Sequence, residues 1–371
     1  MTTKPAATPE IPSSDAQYQN EILQGVSRTF ALTIPQLPDA LRPAVVNAYL
    51  LCRIADTIED EVALTAAQKR QFAQQFIDIV AGRAAAEPFA AALSALLSEQ
   101  TLAAERELVA NSARVLRITH ALTPAQQSAL LRCVTVMANG MALFQANKTP
   151  QGLADLAQLD SYCYFVAGVV GEMLTELYCD YSDEIRARRE VMLRLAVSFG
   201  QGLQMTNILK DIWEDRSRGA CWLPQDIFRR HGFELSDLNP GQHDAKFGDG
   251  LGELIAIAHA HLENALTYTL MIPRREKGIR RFCFWALGMA VLTLRKINRH
   301  RDFTSGRQVK ISRRSVKATI AATHLTNNSD AVARLMFNLA ASGLPKAAAS
   351  RPNVFSPATT IIKKSDVGPV H

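Results

Sequence analysis

Between Leu203 and Asp215 the chain interleaves apolar and polar positions at a helical interval, with no Gly or Pro to interrupt it. Gln204, Asn207, Asp211 and Asp215 fall at i, i+3, i+7 and i+11, which confines them to an arc of roughly 80° on a helical wheel. Ile208, Leu209 and Ile212 crowd around that stripe. The pattern predicts a helix with one oxygen-bearing face in apolar surroundings. A second stripe lies far earlier, where Tyr49, Arg53, Asp56 and Asp60 share an arc of roughly 60°, with Glu59 at its flank.

Helical periodicity accounts for nearly all the rest of the chain. It predicts a short helix from Gln17 to Gln24 and a longer one from Pro38-Asp39 to Glu61 carrying the early stripe. Thr65 is a good N-cap for a helix to Val80, and Ala-rich helices follow at Ala90 to Ser98 and Leu102 to Leu116. Thr123-Pro124, a cap followed by Pro in the first turn, opens a helix to Asn147. Leu156 to Cys179 reads as one helix, and Asp183 to Asp215 as another that carries the late stripe. Gly250 to Met271, Gly278 to Lys296 and Arg314 to Ser342 complete the set. No run alternates as a strand would, and no linker or internal repeat divides the chain. The expected fold is all-α and single-domain over residues 16–342, with disordered ends at 1–15 and 343–371.

Composition sharpens this picture in a few places. The 371 residues are 48% hydrophobic but only 7% aromatic, which suits helices packed through Ala and Leu. Net charge is a modest +6, with a basic cluster from Arg307 to Lys317 that suits phosphates, a nucleotide, an anionic membrane surface or plain solvent. The six cysteines form no CxxC pair and stand among apolar neighbours, so they read as reduced core thiols of a cytoplasmic protein. No secretory signal opens the chain, and the longest clean apolar run, Phe282 to Leu294, is too short to span a bilayer. The expectation is a soluble protein, or at most a membrane-peripheral one.

Carboxylate and amide oxygens stacked on a helix face suit a hard cation such as Mg²⁺, although a solvated acidic face has the same pattern. Two such stripes, each embedded in an apolar helix, suggest two helices facing each other across one cavity. Their carboxylates would repel unless cations intervened, and a diphosphate bridged by Mg²⁺ supplies the missing partner. Lys210, Arg216 and Arg218 place cations beside the late stripe, either for a diphosphate or as simple ion-pair partners. Ser27, Arg28 and Thr29, beside Gly25, fit either a phosphate contact or an ordinary helix cap. Ala167, Gly168 and Gly171 leave a smooth helix face, open to close approach by another helix or by an apolar ligand, with Tyr162 and Tyr164 at its edge.

Three blocks, Asp56-Thr-Ile-Glu-Asp60, Tyr162-Cys-Tyr-Phe-Val-Ala-Gly-Val-Val-Gly171 and Gln204-Met-Thr-Asn-Ile-Leu-Lys-Asp211-Ile-Trp-Glu-Asp215, resemble signatures of the squalene/phytoene synthase family. The resemblance runs from about Gly25 to Arg314. Ser27-Arg-Thr-Phe-Ala and Val309-Lys-Ile look closer to squalene synthases than to phytoene synthases. It implies an isoprenoid-synthase fold around a central apolar cavity. It also implies head-to-head joining of two farnesyl diphosphates with Mg²⁺, then reduction by NADPH. Carried onto this sequence, Asp56, Glu59, Asp60, Asn207, Asp211 and Asp215 would hold Mg²⁺ and diphosphate. Ser27, Arg53 and Lys210 would contact phosphate, Gln204 would line the pocket, and Tyr162 would handle a proton with help from Tyr49. Lys210, Ala220 and Phe165 depart from residues common in the family. The rival expectations are a dehydrosqualene or phytoene synthase that stops without NADPH, and a helical scaffold with no catalysis. Nucleic acid is not an expected partner; peripheral membrane contact for product release is.

Overall fold

The computed structural model describes residues 12–146, 149–241 and 244–347. They form α1 (Ser13–Val26), α2 (Arg28–Thr33), α3 (Arg42–Asp60), α4 (Ala66–Val80), α5 (Ala86–Ser94), α6 (Ala103–Ala110), α7 (Ser112–Ala121) and α8 (Pro124–Ala146). After α8 come α9 (Leu156–Cys163), a π-helical turn over Tyr164–Gly168, α10 (Val169–Tyr181), α11 (Asp183–Arg186), α12 (Arg189–Lys210) and α13 (Ile212–Ser217). The chain continues through α14 (Gln225–Arg230), α15 (Ala245–Met271), α16 (Lys277–Arg299), α17 (Gly306–Val309), α18 (Arg313–Thr326) and α19 (Asp330–Ala340). Among the described residues the only β-type pairing is one isolated bridge, Leu153 with Pro224. The all-α expectation holds.

The chain divides into two compact units, each drawn from separate stretches. The first takes residues up to 147 with 172–189 and 272–285; the second takes 148–171, 190–271 and the remainder. Because the chain enters and leaves each unit more than once, no linker composition marks the division. In the first unit α3 is covered by α1, α4, α6, α7 and α8, which bury its Val45, Leu50, Leu51, Ile54 and Ile58. In the second, α14 packs on α15 through the rings of Phe228 and Phe247, stacked 5.2 Å apart.

Several boundaries move from the sequence reading for identifiable reasons. The first helix begins at Ser13, inside the expected disordered end, because Asp15 is buried and pairs with Arg114 at 2.9 Å and Arg117 at 2.7 Å; residues 1–11 and 348–371 of the expected disordered ends lie outside the described residues. Thr65 does cap α4, in a capping box with Gln68. The single helix expected from Leu102 to Leu116 is two, parted at Asn111. The helix expected from Leu156 to Cys179 carries the π-helical turn in its middle, and the one expected from Asp183 to Asp215 breaks near Arg188 and again at Asp211. All six cysteines are buried, and none of them is in a disulfide. Among the described residues no helix is long and apolar enough to cross a membrane.

The small-residue face answers the question the sequence left open. A Cβ on Gly171 would stand 2.3 Å from the Ala196 carbonyl oxygen, and one on Gly200 would stand 2.3 Å from that of Ala167. It is a neighbouring helix, α12, that approaches there, backbone against backbone.

Candidate active site

In the first unit α3 supplies a row of polar side chains from a helix otherwise buried. Ser27 caps α2 by accepting the Phe30 N–H at 3.1 Å, which is the cap reading of that triplet. Its hydroxyl also interacts with Tyr49, whose Oη donates to the Val26 carbonyl at 3.3 Å. The Tyr49 ring lies 4.7 Å from that of Phe30. One turn on, the Arg53 guanidinium is gripped by the buried Glu105 of α6 and stands 3.7 Å from Asp56. Ser27, Tyr49, Arg53 and Asp56 are therefore brought together, and Asp60 follows on the same face of α3.

The acids at this helix end differ in how their charge is met. Burial pushes the Asp56 carboxyl up to about 7; Arg53 opposes the shift and the Asp60 charge adds to it. Burial likewise pushes Glu59 up to about 8, although Gln145 Nε2 donates to it at 2.6 Å. Glu61, two residues on, is buried yet falls to about 2, because Thr101 and the Ala63 and Ser98 backbone amides donate to its carboxylate. Glu61 is thus a satisfied structural anion, whereas Arg53 beside Asp56 and Lys69 near Glu59 only partly offset the shifts of those two acids. The Glu59 side chain points to α8, where it lines a cleft of about 130 Å³ with Ile58, Lys69, Phe76 and Met141.

In the second unit the late stripe spans a break. Asp211 leaves helical geometry at φ −101°, ψ 16°, but its N–H still donates to Asn207 O at 2.8 Å and its carbonyl accepts from Asp215 N at 2.9 Å. The i, i+4 spacing survives, so Asn207, Asp211 and Asp215 remain in line. Lys210 Nζ lies 3.1 Å from Asp211 Oδ2 and 3.3 Å from Asn207 Oδ1, an ammonium held among the oxygens expected to meet a cation. Burial raises the Asp211 carboxyl, with Lys210 pulling it back down. Gln204, half-buried, lies one turn before Asn207. Arg218 also lowers Asp211, whereas Arg216 is spent on the Pro150 and Leu235 carbonyls at 2.9 and 3.3 Å. Tyr162 is buried, its ring stacked on Trp222 at 4.1 Å and 7°, and Trp222 and Asp215 line one crevice with Ile208 and Ile212.

Three contributors escaped the sequence reading. Glu105 carried no signal, because its partner is far away in the chain. Trp222 was seen only as part of a loop. Glu214 lay inside the late block but off its stripe.

Among the described residues no three His, Cys, Asp or Glu side chains gather closely enough to hold a metal by themselves. Mg²⁺ does not require that, since it keeps several waters and takes one or two carboxylates together with substrate phosphates. Hard oxygen donors in pairs, with burial pressing protons onto them, fit such an ion.

The model of the squalene/phytoene synthase family matches residues 23–315. The squalene synthase ERG9 of Saccharomyces cerevisiae is 29% identical over 301 residues, covering 78% of this chain and 63% of that one. The squalene synthase BSS of Botryococcus braunii is 29% identical over 335 residues, covering 88% and 68%. A solved structure named TcSQS, in complex with the ligand E5700, superposes with a TM-score of 0.74 at 25% identity, covering 89% of this chain and 90% of that one. The chain belongs to the squalene/phytoene synthase family, and its all-α architecture is the isoprenoid-synthase fold. It spans less than two thirds of the yeast relative's length.

Proposed function

We propose that this protein is a squalene synthase, a prenyltransferase that joins two farnesyl diphosphates head to head into presqualene diphosphate and then converts that intermediate to squalene with NADPH. The observation that carries the reading is the likeness to squalene synthases over three quarters or more of the chain, in a molecule whose two acidic stripes are both partly buried.

Asp56 and Asp60 would hold magnesium on the first stripe, and Asn207, Asp211 and Asp215 on the second, with Glu59 entering only by turning from Gln145. The bound ions would neutralise diphosphate as the allylic C–O bond breaks. Arg53, already clamped by Glu105, offers its free edge to phosphate oxygens in a fixed orientation. Lys210 would move from Asp211 to phosphate when a metal takes its place. The Tyr162 ring is buried and stacked on Trp222, which restricts its rotation. Tyr162 would handle the proton released when the cyclopropane ring closes, and Tyr49 is the second tyrosine proposed for that chemistry. Leu159, Met205, Ile208 and Leu223, which line one small apolar hollow of the second unit, would help to keep water from an allylic cation. NADPH would supply the hydride of the second half-reaction, and the exposed cations Arg307 and Lys310 would meet its phosphates.

The deciding experiment incubates purified protein with farnesyl diphosphate and Mg²⁺, with and without NADPH, and analyses products by gas chromatography–mass spectrometry. Squalene that appears only with NADPH is the expected result. Dehydrosqualene regardless of NADPH would replace the reductive step with the non-reducing one. Absence of any C30 product from folded protein would sink the enzyme reading.

A further inference from the structure

Glu214 lies between the two late aspartates, yet its carboxylate is engaged elsewhere. Gly306 N–H donates to its Oε1 at 2.9 Å and its Oε2 at 3.3 Å, and Ser305 Oγ lies 3.5 Å from Oε1. Next to it, the Trp213 indole N–H donates to the Phe303 carbonyl at 2.6 Å. Two adjacent residues of α13 therefore clasp the backbone of the 303–306 segment. The approach is close: a Cβ on Gly306 would stand 2.9 Å from the Lys210 carbonyl oxygen and 3.1 Å from Asp211 Oδ1. Only a glycine lets the chain lie flat against the acidic stripe there. From this anchor Arg307 and Lys310 extend as exposed cations, and the Lys310 carbonyl accepts Lys296 Nζ at 2.7 Å, pinning the far end.

We propose that Glu214 is a positioning residue: it spends its charge on the Gly306 amide to hold the basic segment at Asp211, so that Arg307 and Lys310 are presented to the phosphates of the bound ligand. This rests on the proposed function for the identity of that ligand, whose shared chemistry is a di- or nucleotide phosphate. A charged acceptor makes a hydrogen bond about twice as strong as a neutral one.

The test combines hydrogen exchange with direct titration. In Glu214→Ala the amides of Gly306 and Arg307 should exchange faster while those of α15 do not, and affinity for magnesium diphosphate or for NADPH, titrated separately, should fall roughly tenfold or more, one lost charge-assisted bond. The ligand that weakens identifies which phosphate the segment serves. Glu214→Gln keeps an acceptor oxygen and should return affinity to within roughly threefold. Gly306→Ala lifts the segment by steric contact alone and should weaken binding as Glu214→Ala does; it decides the matter if Glu214→Ala fails to fold. Unchanged exchange in Glu214→Ala, or faster exchange with unchanged affinity for both ligands, overturns the proposal. Wild-type protein that binds neither ligand sinks the proposed function and the positioning role with it; a loss confined to the variants leaves that function standing.

Discussion

On α3, Asp56 and Glu59 are pushed up to about 7 and about 8; the cation beside Asp56, Arg53, is already shared with Glu105, and Lys69 only partly offsets the shift of Glu59. On α12 and α13, Asp211 is raised too, but Lys210 lies 3.1 Å away as its own counter-ion. The two stripes repeat the same oxygen chemistry with different resting states. The first is short of positive charge and its acids tend to hold protons. The second carries a cation that a bound ligand would have to displace. A metal arriving at the first would expel protons; at the second it would displace an ammonium.

The strongest way to break this contrast is to remove one acid from each stripe. If the proposed function holds, Asp56→Asn and Asp211→Asn should each reduce C30 product formation by roughly 10²-fold or more, the scale of losing an electrostatic contact to the transition state. Their effects on the metal-free fold should diverge. Asp56→Asn removes a half-buried carboxylate that the fold holds above its usual range and should leave the melting temperature at pH 8 equal or higher, whereas Asp211→Asn strands Lys210 and should lower it. Near wild-type turnover in either variant would remove that stripe from catalysis, and identical melting shifts would erase the contrast.

The scaffolds differ as well. The segment bearing the late stripe touches its neighbour backbone to backbone at Gly171 and Gly200, while α3 is covered by ordinary side-chain packing. Gly200→Ala should therefore destabilise the protein by about 1–3 kcal/mol, as overpacking does. An unchanged urea midpoint would mean that the helices can part to admit a methyl group.

How far this was legible beforehand follows from range. Helices, capping boxes and both stripes depend on residues within a few turns, so Thr65, Asp56 and Asp211 could be read directly. The π-helical turn at Tyr164–Gly168 and the break at Asp211 could not, since each depends on what packs against the helix. Long-range pairs were invisible for the same reason: Arg53 with Glu105, Tyr162 with Trp222, Glu214 with Gly306. Arg216 was read as a ligand cation or an ion-pair partner and proves to be a loop brace, because a sequence shows where a charge sits but not which carbonyls it reaches.

A smaller effect tests the clamp on the first stripe. Glu105→Gln leaves Arg53 a neutral partner and should lower affinity for farnesyl diphosphate roughly tenfold, one charge-assisted bond's worth. Lys210→Ala should change affinity less, because the ligand's gain from Lys210 is offset by the ion pair it must first give up. Binding titrations with both variants check the order; a larger loss for Lys210→Ala would reverse it.

The smallest effect is on stability against pH, and it reports the resting states themselves. Asp56 and Glu59 hold protons in the folded chain that the unfolded chain releases near 3.8 and 4.5. Their contribution is therefore full at low pH and is lost as pH rises through about 7 and about 8. His261, held down to about 4 by burial, and Glu61, at about 2, act in the opposite sense and lose their contributions as pH falls through those values. In a chelator the melting temperature should thus decline by a few degrees from pH 6 to pH 9, a modest shift because the Asp56 side chain is 38% exposed to screening solvent. Magnesium should remove the decline, since an ion bound to the deprotonated carboxylates stabilises the state that high pH otherwise penalises. The double variant Asp56→Asn, Glu59→Gln should flatten the profile in chelator and make it indifferent to magnesium at the first stripe. A profile that is already flat in the wild-type protein would mean that Arg53 and Lys69 satisfy these acids after all, and the contrast between the two stripes would be one of geometry alone.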